Sequence, residues 1–176
     1  IVAHGWHHCT RPRRIYHRLH ARLLSRNVAE HLALGSQEIV DLMWRSQDWF
    51  RQQGMPCPDA YVPPAWALGS LRHDDLPHQP FSVVETLCGV RVREKNGVYT
   101  NKFLPLLGFE ADTRLRAGLL DNWNRLQLCW VRRRGVTPRI AIHPFDHRLK
   151  MGRRLRGTLA LGWLSKDYRS LAKEAG

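Results

Sequence analysis

Apolar positions at helical spacing predict two clear helices. One covers residues 36–54, with Ser36 as its N-cap, and the other covers residues 114–133. Two further segments, 14–34 and 148–174, are basic and compatible with helices. The chain therefore carries helices in both halves, separated by a region of a different pattern.

That region, and the ends of the chain, contain short apolar runs bounded by glycine, proline or polar residues. The runs predict strands at residues 1–3, 60–62, 81–86, 89–93, 98–103 and 138–142. Along the chain the elements follow the order strand, helix, strand, loop, strands, helix, strand, helix. Such alternation is typical of a mainly parallel α/β sheet or barrel.

Composition agrees with a globular protein and excludes a disordered one. The chain has 176 residues, 43% of them hydrophobic and 24% charged, which is enough for one domain over residues 1–176. Seven tryptophans favour a large buried core or a cleft that faces a sugar. No apolar run approaches the ~18 residues of a membrane span, so we expect no membrane partner. Four scattered cysteines, without a CxxC pair, predict mostly buried, reduced thiols, which suit a cytoplasmic protein.

A net charge of +13 leaves two interpretations open. Arginine runs such as 132–134 and 153–156 are typical of a surface that binds nucleic acid or another acidic polymer. They are also typical of solvated helix faces and loop ends, which we favour because no nucleic-acid motif accompanies them. The oligomeric state leaves no mark on the sequence.

Candidate chemistry stands at the ends of three predicted strands. His4 and His8 are four residues apart around Gly5, a spacing at which two imidazoles can bind one divalent ion. His7 lies beside His8, and a polar loop that is rich in histidine gives the same pattern. Trp66 follows two prolines and either faces a substrate or packs in the core. His143 ends an apolar strand and suits acid–base work, with Asp146 placed to hold its tautomer. Active-site residues gather at strand ends in α/β folds, so we expect these three motifs to share one region.

Together the motifs resemble the polysaccharide deacetylase family with the NodB homology domain. The likeness is strongest to a branch in which a His-Gly-aromatic-x-His motif, a Pro-Pro-Ala-Trp loop and a late Ile-x-Ile-His-Pro segment occur in this order, as they do here from His4 to about Leu149. The resemblance implies an incomplete or distorted (β/α) barrel. It also implies metal-dependent hydrolysis of an acetyl group from an N-acetylated sugar or polysaccharide.

The resemblance implies a role for each matching residue. His4 and His8 would bind a divalent metal, usually Zn²⁺, while Pro64 and Trp66 would shape the groove for the acetylated carbohydrate. His143 would be the general acid that protonates the leaving amine.

The chain departs from the family pattern in its acidic residues. The family carries an Asp-Asp pair, the catalytic base and the third metal ligand, on a strand that would precede Ile1. Asp74-Asp75 lies in a loop after the second motif and does not take that role. We therefore expect either a missing N-terminal segment or a catalytically inactive relative.

Overall fold

The structure, a computed structural model, describes residues 1–7, 29–168 and 170. The chain divides into two compact units, one with Ile1–Lys102 and Asp167–Gly176 and the other with Phe103–Lys166. The single domain predicted over residues 1–176 stays a prediction.

A four-stranded mixed sheet is the centre of the first unit. β1 and β2 are parallel, and β2 and β3 are antiparallel. Ala3 forms an isolated parallel bridge to Tyr61 in β1, so the buried strand predicted at residues 1–3 is reduced to this one residue, and Ile1 is 74% exposed. The carboxyl ends of residues 1–3, β1 and β2 therefore lie at one edge of the sheet. In order across the sheet, the strands are β1 (Ala60–Tyr61), β2 (Val83–Thr86), β3 (Gly89–Arg93) and β4 (Tyr99–Phe103).

Helix α1 (Ser36–Gln52) contributes its apolar stripe to the core of the first unit. The stripe includes Ile39 and Met43, which are fully buried in one cluster with Ala3, Tyr61, Phe81 and Val84. The predicted N-cap is wrong by one residue. Gly35 is the cap, with extended backbone angles, and its N–H donates to the Glu38 Oε2 at 2.6 Å. A glutamate at this third position satisfies an N–H that the helix itself leaves unpaired.

The second unit contains two short parallel strands, β5 (Leu106–Leu107) and β6 (Arg139–Ile140), and the helices α2 (Arg114–Arg134) and α3 (Gly152–Leu159). Its core consists of the buried residues Leu107, Phe109, Ala111, Met151 and Leu155. The sequence predicts a helix over residues 148–174 with an interruption near Gly157, and both the length and the place of the break are wrong, since the helix runs through Gly157 and ends at Leu159. Helix α3 is short, and a turn with Gly162 at φ +74° follows it.

The described residues thus form a mixed α/β fold with two separate sheets, and the (β/α) barrel stays a prediction. The sheet of the first unit is mixed, because β3 reverses direction after a tight turn at residues 87–88, and the mainly parallel arrangement stays a prediction. Among the described helices, none combines the length and the apolar character needed to cross a membrane.

Candidate functional site

His4 lies on a tight turn at the carboxyl edge of the sheet, directly after the extended residues 1–3. Gly5 forms this turn with φ +54°. A Cβ atom on Gly5 would lie 2.4 Å from Cγ of Pro64 and 2.8 Å from Oε1 of Glu30, so both the backbone angle and the close packing require glycine. The first motif of the sequence is therefore packed against the second motif, the loop after β1.

Two successive backbone amides of this turn bind a buried side chain. The Trp6 N–H donates to Oε1 of Glu30 at 2.5 Å, and the His7 N–H donates to Oε2 at 2.6 Å. Glu30 is only 4% exposed, and a carboxylate that accepts two N–H bonds in such a place is strongly bound. The backbone that follows His4 is consequently fixed at Trp6 and His7.

The His4 ring is oriented by a backbone carbonyl of the neighbouring loop. Its Nδ1 lies 2.8 Å from the Val62 oxygen, while the residue as a whole is exposed. A carbonyl oxygen only accepts, so Nδ1 carries the proton and the neutral ring has its lone pair on Nε2. Histidines that bind metals have this arrangement, with one ring N–H donated to a carbonyl or carboxylate and the other nitrogen as the ligand.

His31 and Tyr61 form a buried pair beneath the turn. The His31 Nε2 and the Tyr61 hydroxyl are 2.8 Å apart, and the ring centroids are 5.6 Å apart. Burial lowers the pKa of His31 to about 4; the Glu30 charge opposes this shift and His4 adds to it. Burial also raises the pKa of Tyr61, as does Glu30. Both groups are therefore neutral near pH 7 and can support the turn without burying a charge of their own.

The loop after β1 is held in an unusual conformation. Ala65 and Trp66 both have positive φ angles, 54° and 53°, which are rare for residues with a side chain and tend to occur at functional sites. The Trp66 Nε1–H donates to Oε2 of Glu85 at 2.6 Å, and the Tyr168 hydroxyl binds the other oxygen of the same carboxylate. Glu85 is buried near the end of β2, so three parallel segments contribute to this edge.

The predicted metal site lies only partly within the residues that the structure describes. His8 lies outside the described residues, and within the described part of the chain no group of three His, Cys, Asp or Glu residues could hold a metal ion. Glu30 lies next to the His4 turn, but both of its carboxylate oxygens accept backbone N–H groups. Asp75 accepts the Arg72 N–H at 2.7 Å and caps a short 3-10 helix. We do not assign it as a metal ligand.

His143 lies in the second unit, three residues after β6, beside two carboxylates. Its Nδ1 is 3.5 Å from Oδ2 of Asp146 and 3.7 Å from Oε2 of Glu110. The backbone N–H of His143 donates to Oδ2 of Asp146 at 2.9 Å, and Asp146 is fully buried. Asp146 therefore contacts the backbone N–H of His143 at a shorter distance than it contacts the His143 ring. Whether His143 serves the same centre as His4 stays a prediction, since the two lie in different units.

Sequence reasoning missed the buried residues that hold the site. Glu30 and His31 fall in a segment with the pattern of a basic helix, whereas residues 30–33 form a short 3-10 turn. Glu85 falls in a run predicted only as a strand. A glutamate inside an otherwise apolar strand was the one available signal for Glu85, because buried carboxylates are rare without a partner.

The prediction of mostly buried thiols is wrong for the three described cysteines, Cys57, Cys88 and Cys129, which are free and exposed.

Arginine side chains are exposed on one face of helix α2. Arg125, Arg132 and Arg133 line one shallow depression of about 400 Å³ together with Leu128 and Cys129. Asp121 lies 3.1 Å from Arg125 and offsets part of this charge.

Comparison with known proteins returned no family model, no curated protein and no solved structure that matches the chain. The motifs and the geometry around His4 are therefore the features that indicate a function.

Proposed function

We propose that the chain is a metal-dependent hydrolase that removes an acetyl group from an N-acetylated sugar or polysaccharide. His4 and His8 would bind a divalent ion, for which zinc is the best match to imidazole ligands. The observation that carries the proposal is the 2.8 Å contact between Nδ1 of His4 and the Val62 oxygen, which leaves the lone pair of the neutral ring on Nε2.

The surroundings of His4 support this proposal. A turn whose amides are held by Glu30, together with the contact from Nδ1 to the Val62 oxygen, keeps the imidazole in one orientation. Pre-organised ligands bind metal more tightly because no order has to be created on binding. The same turn contacts Pro64, so the loop assigned to the substrate lies beside the loop assigned to the metal.

The chain's own residues would have distinct tasks. A bound divalent ion supplies Lewis-acid polarisation of the amide carbonyl and a more acidic water. His143 would hold the proton for the leaving amine, and Asp146 would keep its backbone in place through the 2.9 Å hydrogen bond. Trp66, fixed by Glu85, would form one wall of the substrate groove with Pro64.

Zinc titration of the full chain tests the metal ligands. Calorimetry should give one site, and His4→Ala and His8→Ala should each weaken zinc binding by more than about tenfold, since even residues that only orient a ligand cost 10–100-fold. His7→Ala is the matched control and should leave the affinity nearly unchanged. Zinc binding that is indifferent to His4 would overturn the proposal.

Acetate release from an oligomer of N-acetylglucosamine tests the reaction. Activity should disappear on chelation and return with zinc, and His143→Ala should lower the rate of acetate release without changing zinc affinity. Zinc binding through His4 and His8 without any acetate release would identify a catalytically inactive relative instead.

A basic binding module is the second candidate, favoured by the three arginines that line the depression on α2. It predicts binding of single-stranded nucleic acid that weakens steeply with salt. Arg132→Glu together with Arg133→Glu should then abolish that binding while zinc affinity stays unchanged. If the wild-type chain binds no nucleic acid at low salt, this candidate is excluded.

A further inference from the structure

All seven tryptophans lie in the described part of the chain, and none of them is fully buried. The prediction of a large buried core built from tryptophans is therefore wrong, and the alternative, a cleft that faces a sugar, stays a prediction. Trp6, Trp44 and Trp49, between 37% and 43% exposed, line the same cleft of about 550 Å³ in the first unit. This volume lies within the roughly 300–1,000 Å³ of typical small-molecule sites. We call the cleft formed by these three residues and the adjoining face of α1 the tryptophan cleft.

Helix α1 has two different faces, and the second one builds this cleft. Its core face carries Ile39 and Met43. The other face has a spacing of three and four residues, which places its side chains in one row along the helix. The helix residues of the cleft are Asp41, Trp44, Arg45, Asp48, Trp49 and Gln52.

Two of the three indole rings of the tryptophan cleft are held in place. The Trp44 Nε1–H donates to the His78 carbonyl at 2.8 Å, which fixes the ring. Trp49 packs edge-on against Phe50, with ring centroids 5.2 Å apart. The backbone of Trp6 is held through its N–H by Glu30. Rigid exposed aromatic faces reduce the ordering cost of binding, as pre-organised binding sites do.

The chemistry of the cleft fits a neutral polyol. The face of an indole is electron-rich and attracts the slightly positive C–H groups of a sugar ring, while the sugar hydroxyls need hydrogen-bond partners. Asp41, Arg45 and Gln52 supply such partners between the rings, whereas Asp48 is paired with Arg51 at 2.5 Å. With Arg51 counted, two carboxylates and two arginines leave the cleft without a net positive charge in a chain of net charge +13, which disfavours nucleic acid and acidic polymers.

We propose that the tryptophan cleft binds successive sugar units of a neutral, N-acetylated glycan chain. The proposal rests on the proposed function for its direction, because Trp6 lies within the motif between His4 and His8 and so joins the cleft to the turn assigned to the metal. A glycan whose acetylated unit is at His4 would have its neighbouring units on Trp6, Trp44 and Trp49. Affinity should therefore rise with the length of the glycan.

Binding of N-acetylglucosamine oligomers of one to six units, measured by calorimetry with a chelator present, tests the proposal independently of catalysis. The hexamer should bind more tightly than the monomer. Trp49→Ala should weaken hexamer binding about tenfold, as buried tryptophan contacts do at binding hot spots, and should leave monomer binding unchanged. Trp49→Phe, which keeps an aromatic face, should restore part of the loss.

Trp130→Ala is the matched control, since Trp130 is 45% exposed in the second unit against 42% for Trp49. Equal hexamer affinity in Trp49→Ala and Trp130→Ala, or no dependence on glycan length, would overturn the proposal. A concentration-dependent dimer in sedimentation that Trp49→Ala abolishes would also overturn it, in favour of a second copy as the occupant. Glycan binding without acetate release would contradict only the proposed function, and acetate release without length dependence would contradict only the cleft.

Discussion

Replacing Glu30 with glutamine tests whether this buried carboxylate holds the turn of the candidate site. Glu30 accepts the N–H groups of Trp6 and His7 with its two oxygens, at 2.5 and 2.6 Å. Glutamine has nearly the same shape, but only one of its two terminal atoms accepts. One of the two N–H groups would then face an amide NH₂ and lose its bond, and the other bond would lose its charge.

The magnitude follows from these two changes. Hydrogen bonds to charged groups contribute about 1.5–3 kcal/mol each, and a neutral bond contributes about 1 kcal/mol. Losing one charged bond and weakening the other should lower the free energy of unfolding by about 3 kcal/mol. Urea denaturation followed by tryptophan fluorescence measures this difference. Zinc affinity should also fall, by about 10–100-fold, because the turn that carries His4 loses its anchor.

Glu38→Gln is the matched control for Glu30→Gln. Glu38 also accepts a backbone N–H, that of Gly35 at 2.6 Å, but this contact at the start of α1 is exposed. Glutamine keeps one acceptor oxygen for this single N–H, so Glu38→Gln loses only the charge of the bond and should cost less than about 1 kcal/mol, with no change in zinc affinity. If Glu30→Gln and Glu38→Gln destabilise the chain equally, the two hydrogen bonds from Trp6 and His7 to Glu30 do not stabilise the turn as we infer.

Three further measurements test the structure around the site. Gly5→Ala should destabilise the chain by at least about 2 kcal/mol more than Gly97→Ala in thermal denaturation, because both glycines have positive φ but a Cβ atom meets Pro64 only at Gly5. The pKa of His31 is lowered from 6.5 to about 4, so the unfolded state takes up this proton at a higher pH than the folded state does. Between pH 7 and pH 4 this difference should lower the free energy of unfolding by about 3 kcal/mol, and the decrease should be absent in His31→Gln. A native thiol titration should modify the three exposed cysteines without denaturant, and slow reaction of all three would contradict their exposure. Those cysteines are Cys57, Cys88 and Cys129.

Local patterns predicted the elements with strong periodicity. Helix α2 differs from its prediction by one residue, and β3 agrees with it at both ends. The ends of the helices were harder, because a cap depends on a single hydrogen bond. Glu38 binds the Gly35 N–H and moves the cap of α1 one residue before Ser36. Between residues 148 and 174 a helical pattern continues past Gly162, yet the backbone turns there.

The candidate site was predictable only at the residues that carry chemistry on their own. A histidine at a strand end and a tryptophan after two prolines can be found from the chain alone. Glu30 could not be found in this way, since it lies 23 and 24 residues from the amides that it accepts. A contact over such a separation leaves no periodic trace, because neither partner's neighbours are constrained to a repeating pattern.

The His4 turn also explains why the motif is informative although HxxxH alone is not. Any two histidines four residues apart have the right types of ligand atom. In this chain the residue between them that matters is Gly5, since only glycine allows Pro64 and Glu30 to approach the backbone so closely. That approach brings the Val62 carbonyl within 2.8 Å of Nδ1 of His4 and so selects the tautomer with its lone pair on Nε2, the atom that we propose as the metal ligand. The spacing of the two histidines would supply the ligand atoms, and the long-range contacts of the glycine turn determine which nitrogen of His4 carries the lone pair.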